Sequence, residues 1–580
     1  MALFNDSISP VRRRSEVVFW SFAIFMLLVF LGRNALWGLE GRCAEAVREM
    51  LLTMDFFHPE INGVLQTGRP PLSYWATLPA AILFGTDEFT LRLPSVLAAI
   101  VLLMTTRMIA RKLFDEQTAL VSMWVLFSTY GFLFWGRVAA PDMANAAAVS
   151  CAVMIFLYWE ENPSLMNYLF FYLLLALGTL FKGVPMVGVV LLLIVPVAMV
   201  RGNLKQHLNF RNFFAAAIGV AVGFLPYLFT QVADGSGVVR EAANSSLEVF
   251  WHDQVLRILD ARYSGEPVYS YIYHLPRILL PWSAVFVVAV IGFIKIRKEL
   301  TKEFSALLIG MCLAFCLFSF SGSRRWYYLL PLVSFCAIAV AAALCSWGSK
   351  LNGMDFVTAI MRILVLITSS VAFALPVVLP LQGVILNYQI PGTVFVCCCL
   401  AGAVSLLVYT LDQEEDNPTA NFFGMPHRTA SLVVCTSIIC STLFAAVIPQ
   451  FTVYRTEKPF VTGLKKELDG IAPENIFIYG SDVNGRILFY LNQERPVKNS
   501  KALAEFLMDN RSQRVAIICE NNSAGLAELD AELEKLSFNP FEPYRAQFAE
   551  KRLPHESRGK EKLAAWILNV PENLNWKQPR

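Results

Sequence analysis

About thirteen long apolar runs punctuate the first 450 residues, and no other feature limits so strongly what the chain can fold into. They lie at 17–32, 91–113, 118–135, 143–159, 168–181, 184–200, 213–231, 275–294, 304–320, 326–346, 356–381, 393–411 and 429–448. Most approach the length that crosses a hydrocarbon core, and the shorter ones need their flanking residues to do so. With 56% hydrophobic and only 16% charged residues in 580, an ordinary soluble protein is excluded. The expectation is a polytopic α-helical membrane protein.

Charges at the ends of the runs set the expected topology. Arg12, Arg13 and Arg14 precede the first run, which no small-residue cleavage site follows, so it reads as an uncleaved span with a cytoplasmic N-terminus. Loops with Arg107, Arg111 and Lys112, with Arg201, Lys205 and Arg211, and with Lys295, Arg297, Lys298 and Lys302 then fall on the cytoplasmic side. An acidic loop at 412–428 is a weak objection, because acids weigh little in this rule.

An odd number of spans places the tail outside. From about Phe451 the composition becomes that of a soluble sequence, with strand-like runs NIFIYG, ending at Gly480, and RVAIIC, ending at Cys519. Helical patterns near 500–511 and 526–536 alternate with them, which predicts a small α/β domain. It has no glycine-rich phosphate fingerprint, so a supporting or acceptor-binding role fits better than catalysis. The expected organisation is a membrane domain over 1–450, with external loops 33–90 and 232–274, and an external α/β domain over 451–580.

Several function classes drop out. Basic residues neither cluster on a soluble domain nor interleave with exposed aromatics, so there is no nucleic-acid footprint. The twelve cysteines fall mostly in apolar runs, where cysteine acts as a small hydrophobe. Adjacent Cys397, Cys398 and Cys399 point in different directions around a helix and bring no metal-ligand spacing. Only Cys519 lies in the hydrophilic tail, so no internal disulfide is available there.

The chemistry is sought among charges near membrane level, because holding them there requires a partner or a use. The loop from Trp37 to Trp75 carries Glu40, Arg42, Glu45, Arg48, Glu49, Asp55 and Arg69. Elsewhere on the same expected side lie Arg137, Asp142, Lys182, Arg257, Arg324 and Arg325. Two carboxylates among several cations suit a phosphorylated lipid whose headgroup is transferred: the cations hold phosphate, and Glu40 or Asp142 takes or orients a proton. The plainer alternative is that Glu40 and Asp142 only pair with Arg42 and Arg137. Tyr269, Tyr271 and Tyr273 in the second loop read as interface anchors.

These residues also carry a resemblance. LEGRCAEAVREMLLTMDFFHPEINGVLQTGRPPLSYW, LFGTDEFTLRLPSVLAA, GRVAAPDM, LFKGVP, the R-x-L loop at Arg257, PVYSYIYHLPRILLPWS and SRRWYYLLPL occur in this order. Together they resemble the bacterial lipid A aminoarabinose transferases and, more distantly, the protein O-mannosyltransferases. The resemblance implies a GT-C fold and inverting transfer of a sugar from a polyprenyl-phosphate donor to a lipid A-like or other envelope acceptor at the periplasmic face of the inner membrane. It implies Arg69, Lys182, Arg257, Arg324 and Arg325 around the donor phosphate. Glu40 and Asp142 become the acidic pair, with Arg42, Arg137, Tyr269 and Tyr327 as further substrate contacts.

Three departures qualify it. The acid expected before Glu40 is Leu39; an acid expected before the Arg69-Pro70-Pro71 step is Gly68; and a histidine expected three residues before Arg257 is Gln254. Relatives can ligate a metal at the last two positions, so no metal is expected here, with His252 leaving a divalent cation as the alternative. The expected partners are a polyprenyl-phosphate-linked sugar, a lipid or glycan acceptor and membrane lipids, with the protein a monomer. A polyprenyl-lipid flippase and a protein O-glycosyltransferase are the competing readings.

Overall fold

The computed structural model describes residues 10–232 and 266–345, apart from 37, 63, 67–68, 160–162, 299 and 323. It further describes 363, 402, 421–422, 425–447, 458–479, 485–492, 498–500, 510, 513–520 and 563–569. The runs at 356–381 and 393–411, Arg257, and the helical patterns at 500–511 and 526–536 lie essentially outside these residues.

The chain forms two compact units whose limits depart from the expected break at 450. One comprises 1–31, 67–76 and 92–448, and the other comprises 32–66, 77–91 and 449–580. Most of the first loop thus shares a unit with the C-terminal residues, while the Arg69-Pro70-Pro71 step belongs to the first unit.

In the first unit the described apolar runs are helical. They form α1 (Pro10–Leu28), α5 (Glu88–Leu113, which starts in the other unit), α6 (Glu116–Ser128) and α7 (Tyr130–Trp135). Next come α8 (Asp142–Tyr158), α9 (Leu165–Lys182), α10 (Pro185–Arg201) and α11 (Phe210–Val232). The set continues with α12 (Ser270–Leu279), α13 (Ser283–Lys295), α14 (Lys302–Phe320), α15 (Leu330–Leu344) and α16 (His427–Thr442). Short α3 (Leu72–Trp75) belongs here too, as do two-residue strands β3 (Asn421–Phe422) and β4 (Met425–Pro426). By length and composition, four described helices can cross a membrane, or five if a bent pair counts as one span.

Local sequence explains where these helices start. Asp115 accepts the Thr118 N–H at 2.7 Å before α6, and Thr301 caps α14 in the same way through the Phe304 N–H. Ser164 and Asn167 exchange bonds as a capping box before α9. All fifteen residues of α15 are buried, which fits a helix apolar on every side, and it packs on α6, α8 and α13.

Two runs read as continuous spans are broken, and the breaks meet. Thr129 adopts an extended backbone between α6 and α7, and Leu280-Pro281 separates α12 from α13 with a bend of 111°. The Tyr130 N–H donates to the Leu280 carbonyl at 2.8 Å, and Trp282 Nε1 donates to Ser128 Oγ at 2.8 Å. Each break supplies the partner that the other lost. Periodicity cannot reveal this, because the residues on both sides of each break stay apolar.

The second unit holds α2 (Glu40–Thr53), β1 (Glu60–Ile61), β2 (Val64–Leu65) and α4 (Leu78–Phe84). Its C-terminal part holds α17 (Lys458–Glu467), β5 (Ile476–Tyr479), α18 (Gly485–Leu491), β6 (Lys498–Ser500), β7 (Arg514–Glu520) and β8 (Leu563–Asn569). The sheet order is β6-β5-β7-β8, parallel except for antiparallel β8, so both strand-like runs of the tail are strands. Helix α18 packs on α2 at Gly485, where a Cβ would come within 2.9 Å of the Gly41 carbonyl. Only glycine fits that approach.

One acid in this unit ties down the end of α2. Asp55 accepts the Phe57 and His58 N–H groups at 3.0 and 3.1 Å, and its other oxygen lies 2.8 Å from His58 Nδ1. Burial pushes its carboxyl up, but the His58 ring and these two N–H groups outweigh it, so Asp55 titrates below the usual carboxylate value. A depressed folded value stabilises this turn above the unfolded value of about 3.9, and that contribution is lost as pH falls through the folded value. The protection of the amides at 55–58, corrected for the intrinsic pH dependence of exchange, is therefore expected to hold down to about pH 4 and to fall below it. Asp55→Asn should remove that acid step, and an unchanged profile in the variant would show that the step belongs to another group.

Candidate active site

The centre of the site is an ion pair between two helix ends. Asp142 opens α8 and Lys182 closes α9, so the acid lies at a positive helix end and the base at a negative one. They bond directly, with Asp142 3% exposed. Gly183 ends α9 at φ +109°, a backbone shape that side chains rarely adopt, and this turn leaves Lys182 in the last helical turn.

Aromatic rings surround the cation. Lys182 Nζ lies 4.8 Å from the Tyr327 ring centre and 4.9 Å from that of Tyr328. Both rings come from the 3-10 turn Trp326–Leu329 before α15. Trp135, at the end of α7, meets Tyr327 edge-on at 5.0 Å. Lys182 thus has one carboxylate and two ring faces, with capacity for another anion.

Arg69 joins this group by charge. Pro70-Pro71 leads into α3, where Ser73 Oγ donates to the Pro70 carbonyl at 2.6 Å, and α3 packs on α9. Asp142, Arg325 and Arg69 all act electrostatically on the Tyr327 hydroxyl. Arg69 Nη1, Trp135 Nε1 and Asn145 Oδ1 are buried without a hydrogen-bond partner in the protein. Asn145 lies one turn beyond Asp142 on the same face of α8. Burying such groups unpaired costs roughly 1–3 kcal/mol each, so two donors and an acceptor beside a cation describe a site prepared for a polar, anionic ligand.

Other expected residues are used differently. Arg137 donates to the carbonyls of Met26, Leu27 (3.1 Å) and Val29 (2.7 Å), which satisfies the end of α1. The alternative pairing of Asp142 with Arg137 is therefore corrected: the partner of Asp142 is Lys182. Arg324 donates to the carbonyls of Glu266 (2.9 Å), Ser321 (2.8 Å) and Ser319 (3.4 Å), closing the end of α14. Arg325 is exposed, and its backbone bonds to the Tyr271 hydroxyl. Tyr269 is 64% exposed, as suits an anchor.

Glu40 and Arg42 belong to the second unit, where Glu40 opens α2 fully buried and Arg42 is exposed. On the same helix Glu45 and Arg48 form a buried pair at 2.7 Å, which accounts for two charges of that loop structurally. Among the described residues no three His, Cys, Asp or Glu side chains converge as a metal requires. Gly68, His252 and Gln254 lie outside the described residues.

The sequence reading passed over Trp135, Asn145, Trp326 and Tyr328. A signal existed for each, since Trp135 directly precedes GRVAAPDM, Asn145 is three residues past its aspartate, and Trp326 and Tyr328 lie inside SRRWYYLLPL.

Likeness to solved structures shows that these helices adopt a GT-C fold. The chain is similar over 95% of its length to the crystal structure of ArnT from Cupriavidus metallidurans bound to undecaprenyl phosphate, with a TM-score of 0.67, 17% identity and 97% of that chain covered. Residues 68–229 match the family described as dolichyl-phosphate-mannose-protein mannosyltransferase. Among curated proteins, an uncharacterized protein of Aquifex aeolicus is 27% identical over 55% of this chain and 62% of its own length. An undecaprenyl phosphate-alpha-4-amino-4-deoxy-L-arabinose arabinosyl transferase of Proteus mirabilis is 24% identical over 56% of this chain and 58% of its own. The chain thus spans about three fifths of the length of these two relatives. In sequence and fold the chain is thus similar to the aminoarabinose transferase-like GT-C proteins.

Proposed function

We propose that the protein is a membrane glycosyltransferase that moves a sugar from a polyprenyl-phosphate donor to a lipid A-like or other envelope acceptor, at the periplasmic face of the inner membrane. The observation that carries this reading is the buried Asp142–Lys182 pair under the Tyr327 ring, together with Arg69 Nη1 buried without a hydrogen-bond partner. A lipid phosphate would supply the anion that these cations lack.

The acceptor oxygen attacks the anomeric carbon from the face opposite the phosphate, and the bond from that carbon to the phosphate oxygen breaks with inversion. The electron pair leaves on the polyprenyl phosphate, where Lys182 and Arg69 stabilise it. Asp142 keeps Lys182 oriented. A hydroxyl acceptor would give its proton to Asp142 or Glu40, whereas a phosphate acceptor has none to lose, and the carboxylates then serve orientation and charge balance. The step uses no metal ion: Gly68 has no side chain, and the amide of Gln254 is a poor substitute for imidazole. One chain acts alone.

The similarity of residues 68–229 to protein mannosyltransferases favours a second reading with a protein acceptor. Purified protein incubated with polyprenyl-phosphate sugars and lipid, glycan or protein acceptors tests both. Transfer should occur with wild type, persist in EDTA, and be lost in Asp142→Asn. Full activity in both Asp142→Asn and Glu40→Gln would refute the site. Lipid movement across the bilayer without transfer would replace the reading with a flippase.

A further inference from the structure

We propose that Arg277, lying against the Trp326 and Tyr130 rings, is an outer phosphate station that captures the polyprenyl-phosphate headgroup before it reaches Lys182. The inference rests on the glycosyltransferase reading and adds to it the residues that bring the donor in.

The location suits a lipid headgroup. Helix α12 buries Tyr271, His274, Ile278 and Leu279, while Tyr269, Ile272, Tyr273 and Leu280 on its other side and flanks are 48–67% exposed. A short helix with an exposed apolar and aromatic face, followed by a 111° bend, is built to lie in the membrane interface. Arg277 is exposed in its last turn.

Its guanidinium is held by ring faces. The central carbon lies 5.0 Å from the Trp326 ring centre and 5.9 Å from that of Tyr130, and no carboxylate among the described residues pairs with it. Ring faces attract the cation without accepting its N–H groups in the plane of the guanidinium, and among the described residues these donors remain available to grip a phosphate bidentately.

From there a continuous row of rings leads inward. Trp326 lies 5.4 Å from Trp135, Trp135 lies 5.0 Å from Tyr327, and Tyr327 covers Lys182 at 4.8 Å. Midway, Trp135 is 5% exposed and its Nε1–H, buried, has no acceptor. A headgroup moving from Arg277 toward Lys182 would supply that acceptor. The broken helices build this row, since Tyr130 is positioned by its bond to Leu280.

The test uses the full chain in phosphatidylcholine nanodiscs, with titration by polyprenyl phosphate and steady-state kinetics with a polyprenyl-phosphate sugar. Arg277→Ala should raise both the Kd for polyprenyl phosphate and the KM for the donor about tenfold, with kcat within about twofold of wild type. Arg277→Lys, which keeps the charge but not the planar fork, should fall between. Trp135→Phe keeps a ring but removes the N–H, and should raise both constants about threefold even if Arg277→Ala folds poorly. Unchanged Kd and KM in Arg277→Ala or Trp135→Phe would overturn the proposal. So would an Arg277→Ala loss confined to added phosphatidylglycerol, which would make the residue a bulk-lipid anchor. Wild type that binds no polyprenyl phosphate would refute the underlying function, whereas wild-type binding with insensitive variants would refute the outer station alone.

Discussion

Under the proposed sugar transfer, Lys182→Ala should lower kcat/KM by about 100- to 1,000-fold, because the leaving phosphate would lose the cation that receives its charge. The same change strands Asp142, 3% exposed and now without its ion partner, which costs about 3–5 kcal/mol of stability. These effects can be separated. In Lys182→Met with Asp142→Asn the buried charge is gone, so the melting temperature should recover most of its loss while transfer stays down. Recovery of transfer in the double variant would mean that the pair only holds α8 against α9. Circular dichroism melts and donor kinetics on the three proteins decide it.

Arg137→Met has the opposite signature. Removing its guanidinium leaves the carbonyls of Met26, Leu27 and Val29 without their donor in a buried setting, for an expected loss of about 3 kcal/mol or more. The melting temperature falls by several degrees, while KM for the donor stays at the wild-type value in the folded fraction. An unchanged melting temperature with a raised KM would restore Arg137 to the substrate-binding set. Two cations that look alike in the sequence thus diverge by experiment, one costing both activity and stability and the other stability alone.

How far the sequence could be read follows from the range of each interaction. The helical runs were legible because apolar composition is a local property that survives any arrangement of neighbours. Strands β5 and β7 were legible for the same reason, as short apolar runs beside turn residues. The two broken spans were not, because Thr129 and the Leu280-Pro281 step are weak local signals whose lost hydrogen bonds are met by distant partners. The unit limits were not legible either, since composition changes near 450 whereas packing groups the first loop with the tail.

The site shows the same division at the level of single residues. Asp142 and Lys182 were singled out because an ionisable group near membrane level is costly in any fold. That each is the other's partner depends on the start of α8 meeting the end of α9, forty residues away in the chain. Arg137 and Arg324 carried the same sequence signal and proved to close helix ends instead. Trp135 and Arg277 were marked only by their place next to GRVAAPDM and inside PVYSYIYHLPRILLPWS, since an aromatic in an apolar run and an arginine near an interface are ordinary there.

By itself, then, the sequence determined that this chain is a polytopic membrane protein resembling GT-C glycosyltransferases and which charged residues demanded an explanation. Burial cost and apolar length are properties of the residues alone, so they can be read before any fold is known. The tertiary structure decided which cation serves the pair with Asp142, which ones close helices, and where unpaired donors await a ligand. Hydrogen bonds and ion pairs act over a few ångströms, and only the packed helices bring their partners within that distance.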